Sequence, residues 1–171
     1  VVVLHDSVLN PDLCAPVGGG SLKGEVVVRA ITLEALRGYH CTRLLKRFPK
    51  QTAIAPLPIP TLAEVLAAVA RHPKGEEIRF NIETKIDPSK PEQAPPPERF
   101  AQLFIDVLKA AKVMDRAVIQ SFDPRTLVAA RKIAPSLKRA ILLGMPPLDV
   151  IVEARAVGAD IVSPYHQWLT S

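Results

Sequence analysis

The feature that most constrains the fold is a regular alternation of strand and helix patterns from Thr61 onward. Short runs rich in β-branched residues alternate with stretches in which apolar residues recur every three or four positions. Parallel neighbours in a sheet need long crossover connections, which helices usually supply. The sequence therefore predicts an α/β fold with a parallel sheet. The predicted strands are 78–84, 117–122, 139–143 and 161–163, and the predicted helices are 61–72, 100–111, 123–134 and 148–157.

A barrel is a better prediction than a dinucleotide-binding sheet, because no strand is followed by a G-x-G-x-x-G fingerprint. A complete (β/α)8 barrel takes about 250 residues. The chain has 171 residues, so we predict a single domain, 1–171, that is an incomplete TIM-type barrel. Before Thr61 we expect short strands at 1–4 and 26–28, a brief helix capped by Thr32, and irregular loops.

The net charge of +5 favours an anionic ligand, but the basic residues are scattered along the chain. Aromatic residues make up 5% of the sequence, which gives little support to stacking of single-stranded nucleic acid. A solvated basic surface is the explanation of the charge that we favour. No apolar run approaches the roughly 18 residues of a membrane span. The chain opens on Val1 without a methionine, so we expect its true amino terminus to lie upstream, and the lack of a signal peptide says nothing about export.

Two cysteines, Cys14 and Cys41, form neither a CxxC redox motif nor a metal-binding pair. They could form a disulfide in an oxidising compartment. Burial without any bond is the more common state of such cysteines, and we favour it here. The sequence leaves both alternatives open.

Polar residues end three of the predicted strands, where parallel barrels carry their functional groups. His5 and Asp6 follow the first strand. Asn81, Glu83 and Lys85 alternate along a later strand and should point to one side of it. The strand after that one ends in Gln120, Ser121 and Phe122.

Glu83 and Lys85 on one face suit a phosphoester site. The carboxylate can hold a divalent cation, and the ammonium can contact phosphate oxygens. His5 could move a proton to or from an oxygen of the ester. Alternatives remain open: Glu83 and Lys85 could form a structural ion pair, His5 could be a core histidine, and Lys85 could form a Schiff base as in aldolases.

Five segments, in order, resemble the bacterial glycerophosphodiester phosphodiesterase family. They read VVVLHDSVLNPD at 1–12, IPTLAEVL at 59–66, FNIETKIDP at 80–88, VIQSFDPRTL at 118–127 and ADIVSPYHQWLT at 159–170. The resemblance implies a (β/α)8 barrel that hydrolyses glycerophosphodiesters to glycerol 3-phosphate and an alcohol. The implied partner is therefore a small-molecule glycerophosphodiester, with neither nucleic acid nor a membrane span involved.

The resemblance also implies roles for five residues. His5 matches a catalytic histidine that acts as general acid and base, and Lys85 matches the lysine that contacts the phosphate. Glu83 matches a metal-ligand glutamate, and Gln120 and Phe122 lie where the family lines its substrate pocket. An oxygen-rich site without a cysteine cluster favours Ca²⁺ or Mg²⁺.

Three family motifs are not in the chain: the opening His-Arg-Gly, a Glu-x-Asp pair of metal ligands, and the closing Trp-Thr-x-Asn. We therefore expect the first and last strands to lie outside these 171 residues, and the fragment alone to be inactive and poorly folded. The parent protein should be an active enzyme, with a slight lean towards a periplasmic or secreted location. Two alternatives remain, a phosphodiesterase acting on another lipid head group and a non-catalytic binding protein derived from the barrel.

Overall fold

The computed structural model describes residues 1–144 and 149–168. They form two compact units, a first unit of Val2–Leu62 and a second of Ala63–Ser171 together with Val1. The prediction of a single domain is not tested by this division of contacts and stays a prediction.

The first unit has little regular structure. Its elements are strand β1 at Ala15–Pro16, a 3-10 turn at Val28–Ala30, helix α1 at Leu33–Leu36 and strand β2 at Tyr39–His40. β1 and β2 pair antiparallel. The predicted cap at Thr32 is confirmed, because its hydroxyl accepts a hydrogen bond from the Ala35 backbone amide at 3.1 Å. Four buried side chains make the core of this unit: Leu9, Cys14, Leu36 and Ile59.

The strands predicted at 1–4 and 26–28 are wrong. Val2 makes only an isolated bridge with Thr61, and Val27 makes one with Val8. An apolar β-branched run becomes a strand only when a neighbour pairs along its length, and each of these contacts lasts for a single residue. Cys14 and Cys41 form a disulfide, which the sequence analysis considered less favoured than burial of two free thiols.

The second unit is a parallel sheet with helical crossovers, as the sequence predicts. The sheet order is β3-β4-β5-β6, and all three pairings are parallel. No closed barrel occurs within the parts of the chain that the structure describes. The strands are Phe80–Glu83 (β3), Ala117–Ser121 (β4), Lys138–Leu143 (β5) and Ile161–Pro164 (β6), and the helices are Leu62–Ala70 (α2), Pro97–Ala110 (α3), Pro124–Ile133 (α4) and Val150–Val157 (α5).

Helix α4 packs against β4 and β5, and helix α3 packs against α4. Their buried faces carry Ala101, Phe104, Ile105 and Leu108 on α3, and Thr126, Leu127, Ala129 and Ala130 on α4. β4 alternates accordingly, since Ala117, Ile119 and Ser121 are buried and the residues between them are partly exposed. The opposite face of the sheet is therefore the one on which Val118 and Gln120 lie.

The predicted helix signals around α4 and α5 are confirmed where the structure describes them. Asp123 caps α4 ahead of Pro124, and Gly158 ends α5 in the left-handed conformation, with φ of 63°. Helix α5 begins at Val150 and is capped by Asp149, whereas the predicted start at Leu148 lies outside the described residues. None of the described helices has the length and apolar character needed to cross a bilayer.

Two arginines fix the amino ends of the central strands through backbone carbonyls. Arg116, which immediately precedes β4, donates to the carbonyls of Gly75 and Ile78, which precede β3. Arg139, on β5, is 7% exposed and donates to the carbonyls of three residues: Pro135, Leu137 and Gly158. Both side chains therefore have structural roles at the sheet edge opposite the carboxyl ends of the strands.

Candidate active site

The carboxyl ends of β3 and β4 bring four of the predicted site residues together. Glu83 lies directly beside Gln120 in the parallel register. Alternation then places Lys85 and Phe122 further along the same face, since side chains two residues apart point the same way. This grouping of Glu83, Lys85, Gln120 and Phe122 is the candidate site.

Glu83 and Lys85 form an ion pair. Lys85 Nζ lies 3.3 Å from Glu83 Oε1, and the side chains are 40% and 23% exposed, respectively. Glu83 Oε1 is itself buried and accepts no hydrogen bond, and its close contact is the ion pair with Lys85 Nζ. A buried carboxylate oxygen is costly unless an electropositive group compensates it, and here the Lys85 ammonium does so.

Phe122 borders the same two charges. Lys85 Nζ lies 5.8 Å from the centre of the Phe122 ring, within the range of a cation–π contact. Large apolar side chains are usually buried, but Phe122 is 51% exposed. An exposed aromatic ring beside a cation gives this end of the sheet a surface on which the apolar part of a ligand can lie.

Gln120 is held in place by Asn81, which the sequence analysis placed on this face without giving it a role. Asn81 Nδ2 donates to Gln120 Oε1 at 2.9 Å. That bond orients the Gln120 amide and leaves its NH₂ group directed away from Asn81. The period-two alternation of β3 was enough to place Asn81 on the face of Glu83. It could not identify Gln120 as the hydrogen-bond partner of Asn81, because that pairing depends on the register between β3 and β4.

A second polar network, buried behind the site, fixes the turns that follow β3 and β4. Ser121 Oγ donates to the Thr84 carbonyl at 3.0 Å and accepts from the Asp123 amide at 3.0 Å. Asp123 is 3% exposed, and the Arg125 guanidinium contacts both of its carboxylate oxygens. Hydrogen bonding to Asp123 raises the pKa of Arg125 above its ordinary value. These hydrogen bonds hold the ends of β3 and β4 together and so fix the positions of Lys85 and Phe122.

Asp87 begins the loop that leaves the site. Its Oδ1 accepts hydrogen bonds from the Ser89 hydroxyl at 2.6 Å and the Ser89 amide at 2.9 Å. These two bonds, the hydroxyl first, lower the pKa of Asp87 below its ordinary value. The hydrogen bonds from Ser89 to Asp87 therefore fix a turn in the chain two residues after Lys85.

His5 belongs to the first unit, and the four residues of the candidate site belong to the second. Its Nδ1 lies 2.6 Å from Asp6 Oδ1, and its side chain is 74% exposed. A carboxylate on one imidazole nitrogen fixes the ring orientation, as it does in acid–base histidines. The exposure excludes the alternative of a buried core histidine.

Residues 1–144 and 149–168 contain no group of three or more His, Cys, Asp or Glu side chains that could hold a metal ion. Glu83 is the acidic member of the candidate site. Its Oε1 accepts no hydrogen bond and is the kind of hard oxygen that Ca²⁺ or Mg²⁺ prefers. The side chain therefore fits one position of a divalent-cation site and supplies one ligand of the set.

The sequence model of the "Glycerophosphoryl diester phosphodiesterase family" matches residues 1–167. The chain belongs to this family. No curated protein sequence matches it at a significant level.

Solved structures share the fold. A protein from Silicibacter pomeroyi DSS-3, assigned as a glycerophosphoryl diester phosphodiesterase, is 22% identical with a TM-score of 0.86; the match covers 99% of this chain and 62% of that one. An Oleispira antarctica phosphodiesterase, solved with the product sn-glycerol-3-phosphate, is 17% identical with a TM-score of 0.72, over 99% of this chain and 59% of that one. A Galdieria sulphuraria protein assigned to the same activity is 22% identical, with a TM-score of 0.61 over 82% and 50%. The chain thus spans about three-fifths of the first of these proteins.

Proposed function

We propose that the full-length protein hydrolyses glycerophosphodiesters to glycerol 3-phosphate and an alcohol. The observation that carries the proposal is the family match over residues 1–167, which includes every predicted site residue. The product bound by the Oleispira antarctica phosphodiesterase supports the same reaction for a protein of this fold. The paired Glu83 and Lys85 at a strand end are suited to an anionic ester.

The open sheet of the second unit is, in this proposal, part of a TIM-type (β/α)8 barrel. Parallel strands in sequential order, each joined to the next by a helix, are the repeating unit of that barrel. We further propose that the first and last strands lie outside these 171 residues. The 62% coverage of the Silicibacter pomeroyi protein supports this view.

We propose that the enzyme uses a divalent cation, Ca²⁺ or Mg²⁺, with Glu83 as one ligand. Glu83 Oε1 supports this role, because it is buried, accepts no hydrogen bond and already faces one cation, the Lys85 ammonium. Such a cation, when bound, polarises a phosphoryl oxygen and lowers the pKa of a bound nucleophile. Lys85 would then be released in part from Glu83 to contact a phosphate oxygen.

The other residues have separate roles in the proposal. His5, oriented by Asp6, transfers a proton to or from an ester oxygen as general acid and base. Lys85 stabilises the negative charge that develops on the phosphate. Gln120 donates its amide hydrogens to the ligand, and the Phe122 ring contacts its apolar part.

The test is release of glycerol 3-phosphate from glycerophosphocholine by the full-length protein, with and without a chelator. Glu83→Gln should abolish the response to added metal, and His5→Asn should lower kcat by about 10²- to 10⁴-fold. Glu98→Gln, an exposed change of the same chemistry in α3, is the matched control and should keep full activity.

Other outcomes point to other functions. Activity on a different phosphodiester, with the same variant losses, would identify a phosphodiesterase for another lipid head group. Binding of glycerol 3-phosphate without turnover in the metal-loaded protein would identify a binding protein. Covalent trapping of Lys85 by borohydride with a carbonyl substrate would identify the aldolase type.

The isolated 171 residues should be inactive in the same assay. Among the described residues the candidate site offers one carboxylate, whereas a tightly held Ca²⁺ or Mg²⁺ takes several oxygen ligands. Metal-dependent release of glycerol 3-phosphate by the isolated chain would contradict this expectation.

A further inference from the structure

The formal charge of the chain is concentrated in one segment of the first unit. Between Glu34 and Glu64 there is no acidic residue, and there are five basic ones: Arg37, Arg43, Lys46, Arg47 and Lys50. The whole chain has 22 basic and 17 acidic residues, so the remainder has 17 of each, and its net charge is zero. The whole excess of +5 therefore lies between these two glutamates.

Most of this segment lies on the surface of the first unit. All residues from 46 to 58 are exposed, including the lysines and the apolar side chains. We name residues 43–58 the basic loop. Four of its large apolar side chains are between 50% and 61% exposed: Leu44, Phe48, Ile54 and Leu57. Exposed apolar groups mark interaction surfaces when they form a patch, and these four lie within a 14-residue stretch that also carries the basic residues.

The tip of the basic loop is a defined turn. The Phe48 amide donates to the Leu45 carbonyl at 2.9 Å, and the Gln51 amide donates to the Phe48 carbonyl at 3.1 Å. The Gln51 side chain accepts from the Leu45 amide at 2.8 Å and closes the turn. Arg47 stacks over the Phe48 ring at 4.9 Å. An aromatic ring and a guanidinium are thus presented together without an ordering cost at the time of binding.

The start of the loop is anchored to the first unit. Arg43 donates to the carbonyls of Pro11 and Gly20, so its guanidinium is used internally. Lys46, Arg47 and Lys50 follow this anchor and carry the exposed positive charge. The loop therefore combines an anchored start with exposed cations and exposed apolar side chains.

We propose that the basic loop binds the surface of a membrane that contains anionic lipids. Cations beside exposed apolar side chains suit the lipid interface, where the apolar groups enter the head-group region and the cations contact phosphates. A nucleic acid fits less well, since Phe48 is the aromatic residue of the loop and the other apolar groups, Ile54 and Leu57, cannot stack on bases. This attachment is peripheral, and it is independent of the proposed hydrolysis.

The test is sedimentation of the full-length protein with vesicles of phosphatidylcholine, alone or with about one-third phosphatidylglycerol. The protein should bind the anionic vesicles and be released as salt rises, because the attraction is screened within about 10 Å at 0.1 M. Lys46→Gln with Lys50→Gln should weaken the partition about 20-fold or more, at about fivefold for each cation. Phe48→Ser with Ile54→Ser should also weaken binding to the anionic vesicles, because the apolar groups no longer enter the head-group region.

Matched controls separate this loop from the general surface. Lys109→Gln with Lys132→Gln removes two exposed helical cations and should leave binding unchanged. Val152→Ser removes an apolar side chain that is 60% exposed on α5 and should also leave it unchanged. All these positions are exposed, so circular dichroism and Tm should match the unchanged protein.

A direct readout adds a tryptophan to the basic loop. In Phe48→Trp, the emission in excess of that of the unchanged protein should shift to shorter wavelength on addition of anionic vesicles and stay unshifted with phosphatidylcholine alone. Absence of binding to anionic vesicles, or equal loss in the control variants, would overturn the proposal. So would concentration-dependent dimers that dissociate in Phe48→Ser with Ile54→Ser, since a second copy would then cover the loop.

Discussion

At Gly75 the backbone passes too close to the end of α2 for any side chain. A Cβ there would lie 2.1 Å from the Val69 carbonyl oxygen, whereas, among the residues that the structure describes, a Cβ at Gly144 would meet the Phe122 ring alone, at 3.5 Å. We expect Gly75→Ala to lower the free energy of unfolding by about 1–3 kcal/mol, because backbone must move to admit the methyl group. Gly144→Ala is the matched control. Urea denaturation measures both, and equal stability of the two variants would contradict the prediction.

The site residues show what one sequence can and cannot predict at this scale. The two-residue period of a strand was enough to group Glu83 with Lys85, and the structure confirms that they contact. The bond from Asn81 to Gln120 was not predictable, because it crosses from β3 to β4 and depends on their register. Residue roles in catalysis rest on the family match and stay predictions.

At the scale of elements, Asp123 determines how β4 leads into α4. Its carboxylate accepts from the Arg125 amide at 3.0 Å and pairs with the Arg125 side chain. Asp123→Ala removes both and should lower the free energy of unfolding by about 1–2 kcal/mol, the usual cost of an N-cap. Asp123→Asn keeps an acceptor for the amide and should cost less, since Arg125 is 55% exposed and its ion pair is weak. Thermal unfolding distinguishes them, and a larger loss in the asparagine variant would show that the charge pair dominates.

Elements were predictable in the second unit and poorly predictable in the first. Strands such as β4 lie between two parallel partners and keep their period over five residues, so sequence pattern and pairing agree. The runs at 1–4 and 26–28 are also rich in β-branched residues, but each pairs only at a single bridge. β-propensity alone therefore predicted strands that do not form. The ends of α4 and α5 followed from local rules, a capping aspartate and a terminal glycine.

At the scale of the whole molecule, the two units differ in how they are stabilised. The second has a sheet backed by buried faces of α3 and α4. The first has two-residue strands, a four-residue helix and a core of four buried side chains, one of which is Cys14. A core this small supplies limited hydrophobic stabilisation, and covalent bonds commonly supplement such units. The disulfide was left open by the sequence because pairing depends on the fold that brings residues 14 and 41 together.

Reduction of that disulfide should therefore loosen the first unit. Cys14 and Cys41 are separated by 27 positions, and a loop of that length gains about 3–4 kcal/mol from closure in the chain-entropy estimate. Cys14→Ser with Cys41→Ser, or a reductant acting on the unchanged protein, should make residues 2–62 the first to be cut in limited proteolysis, while the helical circular dichroism of α3 and α4 persists. The double variant is also the control, because reductant should have no further effect on it. Equal protease resistance of the oxidised and reduced protein would mean that the packing of Leu9, Leu36 and Ile59 holds this unit without the bond.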